Sequence, residues 1–425
     1  MPPPAEVSEV IMRVLVLVSL CAGLVGACVS TDDPAKALTP RDGPRRYQAD
    51  VDLLRSRLDV VELVDETGQA RVAIVPAYQG RVMTSTAGGV DSWSLGWINE
   101  ALIASGQTLE HINPYGGEDR FWLGPEGGQF AVFFDGDAPF DLEHWQTPPL
   151  IDTEPFDLVE ADAGRAAFRR ESSLVNRAGF TFDLEVDRTV RLLSPNAVTE
   201  RLGADVPDLV DLVAFETENR VTNNGHTPWK KETGLLSIWI LGMFPPSPGA
   251  TVVIPFVPGS EDALGPIVND AYFGQVPADR LIVGETALFF RADGQHRSKI
   301  GIPPRRARPV CGSYDPERGV LTLIWLTIPE GATDYVNSMW EMQNEPFAGD
   351  VVNSYNDGPP EPGAKPLGPF YEMESSSPAL ALAPGESHTH VHLTAHFQGS
   401  PEALDPIARG VLGVGLAEIE GMLGP

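Results

Sequence analysis

Alternating hydrophobic and polar positions run through much of the chain and predict β-strands. Residues 389–397 alternate almost perfectly, and residues 180–193 and 212–221 follow the same two-residue period. Because successive side chains of a strand point to opposite faces, this period is typical of strands with one buried face. The short apolar run at residues 321–328 predicts a fully buried strand.

Two further segments predict strands next to turns. Residues 60–64 and 71–75 flank the turn-forming residues 65–68, which indicates a β-hairpin. The apolar run at residues 130–134 ends at Asp-Gly and predicts another strand.

Helical spacing appears near the two ends of the domain. At its start, apolar residues recur at this spacing at Tyr47, Val51, Leu54 and Leu58. Residues 401–423 show the same spacing and predict a closing helix. We therefore expect a mainly β chain with a short N-terminal and a C-terminal helix, built as one large body or as two fused sandwiches. No linker interrupts the chain after residue 60, so residues 46–425 are expected to form a single domain.

The first residues of the chain indicate export. Met12-Arg13 precedes an apolar run at residues 14–24, which is followed by Val-Gly-Ala and Cys28. This order is typical of a secretory signal, and a cysteine directly after small residues resembles a bacterial lipobox. We expect a lipoprotein signal peptide at residues 1–27, lipidation of Cys28 and a flexible tether at residues 28–45. The alternative is an ordinary cleaved signal with a chance cysteine.

The expected product is an exported, membrane-anchored lipoprotein, on the outer-membrane or periplasmic side. Of three cysteines, Cys311 alone would remain after removal of Cys21 and lipidation of Cys28, so no internal disulfide is expected. The net charge of −29 argues against a nucleic-acid partner. It favours a neutral partner over an anionic polymer, unless a local basic patch exists.

Three segments in the same order resemble the galactose mutarotase-like, or aldose epimerase-like, superfamily. They are residues 77–82, residues 216–225 with their Asn-rich end, and residues 373–397 with Met-Glu-Ser-Ser and Pro-Gly-Glu before a strand. The resemblance spans roughly residues 58–400 and implies a β-supersandwich. It also implies an uncharacterised bacterial lipoprotein branch of the superfamily and a carbohydrate ligand.

The resemblance places the catalytic glutamate of the superfamily at Glu374. One of its two histidines maps onto Tyr115, and the other falls near residues 235–239, where no histidine occurs. Tyr115 would be the remaining acid at that position. The missing histidines argue against plain mutarotation.

The segment at residues 111–129 combines acids, an arginine, a histidine and aromatic residues between glycines, which favours a ligand loop. Its candidate catalytic residues are Glu118, His111 and Tyr115, and its candidate substrate-binding residues are Asp119, Arg120, Trp122 and Glu126. The alternative is a structural loop in which an acid pairs with Arg120. Polar and aromatic loops add Trp145, Tyr355 and Asn356 as substrate-binding candidates.

Four of the eight histidines lie within residues 388–396. On a strand His390 and His392 point the same way, so they would share a divalent metal with a carboxylate such as Glu372 or Glu374. The alternative is a polar strand face, and no other cofactor is expected.

Three functions follow from these candidates. The first is a surface protein that binds a carbohydrate and transforms it by epimerisation or by glycosidic cleavage between carboxylates. The second is a non-catalytic sugar-binding lipoprotein. The third is a metal-dependent enzyme that uses His390 and His392.

The lipobox predicts that Cys28 carries the lipid. In bacterial cells fed an alkyne-tagged fatty acid, the wild-type chain should become labelled and Cys28→Ser should not. Cys21→Ser is the matched control, because it lies in the segment that is removed, and it should retain the label. Labelling of Cys28→Ser, or an unlabelled wild-type chain, would contradict the lipoprotein assignment.

Overall fold

The computed structural model describes residues 45–361 and 363–424, and strands dominate this part of the chain. The strands are β1 Val61–Val64, β2 Arg71–Val75, β3 Arg81–Thr86, β4 Arg120–Gly124, β5 Asp157–Ala161, β6 Arg165–Val175, β7 Thr181–Leu192, β8 Asp211–Asn223, β9 Ser237–Phe244, β10 Thr251–Pro255, β11 Leu281–Val283, β12 Ala287–Arg291, β13 Ser298–Ile302, β14 Val310–Asp315, β15 Val320–Leu326, β16 Val352–Asn356, β17 Tyr371–Ser376 and β18 Ser387–Gln398. The hairpin β1–β2, the alternating strands β7, β8 and β18, and the buried strand β15 confirm the predicted strands.

The helices are short and most of them connect strands. They are α1 Tyr47–Arg55, α2 Glu100–Ser105, α3 Pro149–Asp152, α4 Pro195–Leu202, α5 Glu261–Leu264, α6 Pro401–Leu412 and α7 Leu416–Leu423. The N-terminal helix α1 confirms the spacing argument. The C-terminus forms two helices where one was predicted, because Gly413 ends α6 with a φ of +76°.

Three sheets build the described residues. β1, β2 and β3 form a small sheet, ten strands form a large sheet in the order β11-β12-β10-β14-β15-β18-β8-β7-β6-β5, and five strands form a sheet in the order β13-β16-β17-β9-β4. The five-stranded sheet packs against the large one, with Phe121 and Ile240 in the same buried cluster as Val186 and Phe215. The helices α6 and α7 cover the opposite face of the large sheet. The structure therefore confirms a mainly β, sandwich-like chain with a helix near each end.

Residues 130–134 do not form the predicted strand. They lie in turns between Gly128 and Gly136, which both have positive φ. Phe133 and Phe134 are buried in an aromatic cluster. The run is apolar because successive side chains enter this cluster, and no partner strand is required.

The predicted signal peptide at residues 1–27 and Cys28 lie outside the described residues, as does all of the tether except Arg45. No helix in residues 45–361 or 363–424 is long and apolar enough to cross a membrane. The one described cysteine, Cys311, is buried and free, and burial raises its pKa to about 12.

A buried ion pair links the two large sheets. Arg188 on β7 donates Nη2 to Asp119 Oδ1 at 2.5 Å and to the Asp119 carbonyl at 2.9 Å, and both side chains are fully buried. Thr217 Oγ1 donates to the other carboxylate oxygen of Asp119 at 2.9 Å. The pair and Thr217 thus join the start of β4 to strands β7 and β8 of the ten-stranded sheet.

We expect Arg188→Met to reduce the free energy of unfolding by about 3–5 kcal/mol, because it leaves the Asp119 carboxylate buried without its cation. Urea unfolding followed by circular dichroism measures the change. Arg169→Gln, which removes an exposed arginine paired with Asp187 on the same sheet, is the matched control and should shift the midpoint little. Equal shifts in the two variants would show that the buried pair does not hold the sheets together.

Candidate functional site

One face of the five-stranded sheet carries charged and aromatic side chains in rows. Directly opposed residues of antiparallel strands lie on the same face of a sheet. The first row crosses β13, β16, β17 and β9 at Lys299, Tyr355, Glu372 and Met243. A second row crosses β17, β9 and β4 at Glu374, Leu241 and Arg120. The other face of these strands is buried against the large sheet.

This face is the floor of a cleft with a volume of about 140 Å³. The charged residues of its lining are Arg120, Glu126, Arg297, Lys299, Asp357, Lys365 and Glu372. The aromatic residues of its lining are Trp122, Trp145, Trp239, Phe273, Trp340, Tyr355 and Phe370. Such a mixture of apolar walls and a few convergent polar groups is typical of a small-molecule site.

Four of the seven aromatic lining residues are tryptophans. Trp122 and Trp239 meet edge to face with ring centroids 5.5 Å apart, and Trp145 lies 5.8 Å from Trp340. The indole nitrogens of Trp122 and Trp145 are buried and have no hydrogen-bond partner among the described residues. Buried donors are normally satisfied, so these two nitrogens are exceptions among the described residues.

Glu372 is the carboxylate on the cleft floor. Its Oε1 accepts a hydrogen bond from Arg120 Nη2 at 2.8 Å, whereas no hydrogen bond from the described chain reaches Oε2. The pKa of Glu372 is raised to about 7: burial is the largest cause and the charge of Glu374 adds to it, whereas Arg120 and Lys299 act in the opposite direction. The carboxyl group can therefore accept or release a proton near neutral pH.

Glu374 lies beside Glu372 on the same face of β17 but is covered by other cleft residues. Its Oε2 accepts hydrogen bonds from Trp239 Nε1 at 2.8 Å and from Lys299 Nζ at 2.9 Å. Its Oε1 is buried with no partner among the described residues. Glu374 is thus not part of the cleft lining, and the position that the superfamily resemblance marks as catalytic holds a buried ion pair.

Burial also shifts the pKa values of two other acids of the cleft. Burial raises the pKa of Glu126, which adjoins the lining tryptophan Trp340. Burial also raises the pKa of Asp357, and Tyr355 donates its hydroxyl to Asp357 Oδ1 at 2.9 Å. Arg120, Trp122, Glu126, Trp145 and Tyr355 are therefore the predicted residues that the fold brings together.

The predicted acids Glu118 and Asp119 are corrected to structural roles. Glu118 accepts hydrogen bonds from the backbone and hydroxyl of Ser85 and from His396 Nε2, and it is fully buried. Asp119 holds Arg188 as described above. Both precede β4 and point into the protein, so neither lines the cleft.

His111 and Tyr115 also lie outside the cleft lining. Tyr115 stacks on Tyr78 with centroids 4.0 Å apart, and burial raises its pKa further above the ordinary tyrosine value. This corrects its assignment as an acid. His111 contacts the carbonyl oxygen of Trp145 through Nδ1 at 2.9 Å, so it supports a wall of the cleft from behind.

Asn356 is corrected from substrate binding to loop support. Along β16 it lies on the face opposite to Tyr355, and it is fully buried. Its side-chain amide donates to the His296 carbonyl at 3.0 Å, and its Oδ1 accepts from the Gly294 backbone at 2.8 Å. The error follows from strand alternation, because adjacent residues of a strand cannot both face the cleft.

The histidines of β18 do not fit a metal site. His390 Nε2 and His392 Nδ1 both lie 2.8 Å from the hydroxyl of Ser375, which bridges them. Burial lowers the pKa of His392 to about 4 and keeps His390 neutral as well. In the part of the chain that the structure describes, no group of three or more His, Cys, Asp or Glu side chains is placed to hold a metal. The pair forms a buried polar contact between sheets, close to the alternative of a polar strand face.

Sequence reasoning missed several cleft residues. Lys299, Arg297 and Trp239 were not predicted as site residues, and Glu372 was predicted only as a metal ligand. The two-residue spacing of Glu372 and Glu374 was the available signal, since it places both carboxylates on one face. Lys299 carries no local signal because its place depends on the pairing of β13 with β16.

The fold and the cleft define a β-sandwich protein with an aromatic, charged cleft on its five-stranded sheet. The chain belongs to the family of unknown function DUF6786, whose model matches residues 45–423. A comparison with curated proteins gives no match.

Solved structures of aldose epimerase and mutarotase-like proteins are similar to the chain. A candidate aldose 1-epimerase from Escherichia coli K12 shares 13% identity at a TM-score of 0.48, covering 80% of this chain and 99% of that chain. A galactose mutarotase-like protein from Lactobacillus casei shares 10% identity at a TM-score of 0.42, covering 80% and 100%. A galactose mutarotase related enzyme from Lactobacillus acidophilus shares 9% identity at a TM-score of 0.43, covering 80% and 98%. They carry the names of the superfamily that the sequence resembles.

The environment of Glu372 predicts the titration of its carboxyl group. In carbon-13 NMR of glutamate-labelled protein, one carboxyl resonance should titrate near pH 7, and Glu372→Gln should remove it. Arg120→Gln should raise this pKa because it removes a cation, and Glu374→Gln should lower it because it removes an anion. Glu200→Gln, an exposed control on α4, should leave it unchanged. Titration of Glu372 near the ordinary glutamate value would contradict the assignment.

Proposed function

We propose that this chain binds a sugar in the cleft and catalyses proton transfer on it, with Glu372 as the acid/base group. The observation that carries the proposal is the environment of Glu372 Oε2. This oxygen belongs to a buried carboxyl with a pKa raised to about 7, on the floor of the cleft, while Arg120 holds the other oxygen at 2.8 Å. A general acid/base is most effective when its pKa is close to the working pH.

The cleft walls suit a sugar ring. Tryptophan faces offer flat apolar surfaces to the C–H groups of a sugar. Arg120 lies over the Trp122 ring at 4.2 Å, so its guanidinium is held in place beside the aromatic surface. A ligand with alternating apolar and hydroxyl edges matches this lining.

Epimerisation is favoured over glycosidic cleavage. Glycosidases place two carboxyl groups on either side of the scissile bond. Glu372 and Glu374 lie on one strand and one face, about 7 Å apart along the chain as residues i and i+2. Glu374 is covered by Trp239 and Lys299 and does not line the cleft, so Glu372 has no second carboxyl from this strand across the ligand. One acid/base group suits proton transfer at the anomeric hydroxyl of a reducing sugar, where ring opening and closure exchange the two anomers.

Lys299, which lines the cleft, and the covered Glu374 support this chemistry. The Lys299 ammonium lies 2.9 Å from Glu374 Oε2 and 4.5 Å from the Trp239 ring centroid. This contact fixes a positive charge near Glu372, and the charge stabilises the carboxylate that forms when Glu372 gives up its proton.

The alternative is a non-catalytic sugar-binding protein. Two observations favour it: the ion pair with Lys299 occupies the glutamate that the superfamily resemblance marks as catalytic, and none of the described histidines lines the cleft. In both cases the signal-like N-terminus supports an exported lipoprotein anchored at Cys28, with the sugar cleft outside the cytoplasm.

Glu372→Gln separates these two functions. A panel of reducing monosaccharides is first screened for binding by quenching of tryptophan fluorescence, and binders are then followed for anomeric or epimeric exchange by proton NMR. We expect Glu372→Gln to retain binding within about threefold and to slow exchange at least 100-fold, because general acid/base catalysis contributes about 10²–10⁴-fold.

Glu200→Gln is the matched control for the removed charge and should keep full activity. Exchange that persists in Glu372→Gln would refute the catalytic role. Binding without exchange in the wild-type chain would establish the non-catalytic alternative.

A further inference from the structure

Arg297 stands at the cleft with an unpaired guanidinium. It is half-buried, and its guanidinium carbon lies 3.8 Å from the ring centroid of Phe273, which in turn packs against Tyr355 at 6.0 Å. Its side chain makes no hydrogen bond or ion pair with any of the described residues. The aromatic contact holds the guanidinium in position and leaves its donors directed to no protein acceptor.

Two acids of the cleft, Glu372 and Asp357, already have hydrogen-bond partners other than Arg297. Glu372 is engaged by Arg120, and Asp357 accepts hydrogen bonds from Tyr355 and from the Gly368 backbone. No carboxylate among the residues that the structure covers lies within ion-pair distance of Arg297. Glu126 also lines the cleft, and the charge of Arg297 acts against the rise in the pKa of Glu126, but the two side chains form no ion pair. The guanidinium of Arg297 is therefore available to a ligand, although the whole chain carries −29.

Lys365 adds a second unpaired cation to the lining. It is exposed and forms no ion pair within the described chain. Arg297 and Lys365 make the local basic patch that an anionic ligand would require on so acidic a protein. A planar guanidinium with fixed donors binds a carboxylate or a phosphate through two parallel hydrogen bonds.

We propose that the cleft selects sugars that carry an anionic group, a carboxylate or a phosphate, and that Arg297 binds this group. The inference rests on the proposed sugar-binding function and names its substrate class. The sugar ring packs against the tryptophans and meets Glu372, while its anionic substituent reaches the Arg297 side of the cleft. Lys365 contributes at longer range from the rim.

The test compares matched sugars by quenching of tryptophan fluorescence in the full-length protein. D-galactose is the neutral probe, D-galacturonate carries a carboxylate and D-galactose 6-phosphate carries a phosphate at the same carbon. At least one anionic probe should bind 10-fold or more tightly than D-galactose, and the preferred probe identifies the anionic group. Arg297→Gln should weaken that probe at least 10-fold and leave D-galactose within twofold.

Arg57→Gln is the matched control, because Arg57 is an exposed arginine whose side chain likewise forms no ion pair or hydrogen bond within the described residues. It should change no affinity. Lys365→Gln should weaken the anionic probe less than Arg297→Gln does. Retained D-galactose binding shows that the variants are folded.

Equal binding of neutral and anionic sugars by the wild-type chain would overturn the selectivity and leave the proposed sugar function intact. An anionic preference that survives Arg297→Gln would overturn the role of Arg297. If no sugar of this or the wider monosaccharide panel binds, the proposed function fails and the inference fails with it.

Discussion

The contact between Arg188 and Asp119 is the interaction on which the arrangement of the cleft depends. It lies between the two sheets in a region that excludes water, where an ion pair is stable only if its remaining donors and acceptors are satisfied. The arginine meets this requirement by also donating to the Gly80 carbonyl and to Asn219. Because Asp119 directly precedes β4, the ion pair fixes the strand that carries Arg120, and Arg120 in turn orients Glu372.

The interior between the sheets is unusually polar, and this explains the histidines of β18. Their strand places Val391, Leu393 and Phe397 on one face, and Leu393 and Phe397 pack on the C-terminal helices. The opposite face meets Ser375 and Glu118 from the smaller sheet side. Neutral imidazoles suit the positions of His390 and His392, since each offers a donor and an acceptor without the cost of burying a charge. Their clustering thus serves sheet packing, which a metal-ligand pattern resembles in sequence.

The sequence predicted the strands and both helical ends because those features depend on local periodicity. The strand of residues 130–134 failed since a run of apolar residues does not distinguish a strand from a buried loop. At the site, Arg120, Trp122, Glu126, Trp145 and Tyr355 were predicted from local composition. Lys299 and Arg297 were not, because their position depends on the pairing of distant strands. Glu118 and Asp119 were misplaced for the same reason: an acid beside aromatic residues indicates a site, but the register decides which way it points.

The charge of the whole chain and the charge of the cleft have opposite implications for the ligand. A surface of −29 disfavours anions at long range, yet this field is screened beyond about 8–10 Å at physiological salt. Arg297 lines the cleft and is half-buried, with its guanidinium over the ring of Phe273. The local guanidinium therefore outweighs the distant acids for a small ligand, whereas a long anionic polymer would extend into their field. The same argument that excludes nucleic acid thus leaves room for a small anionic sugar.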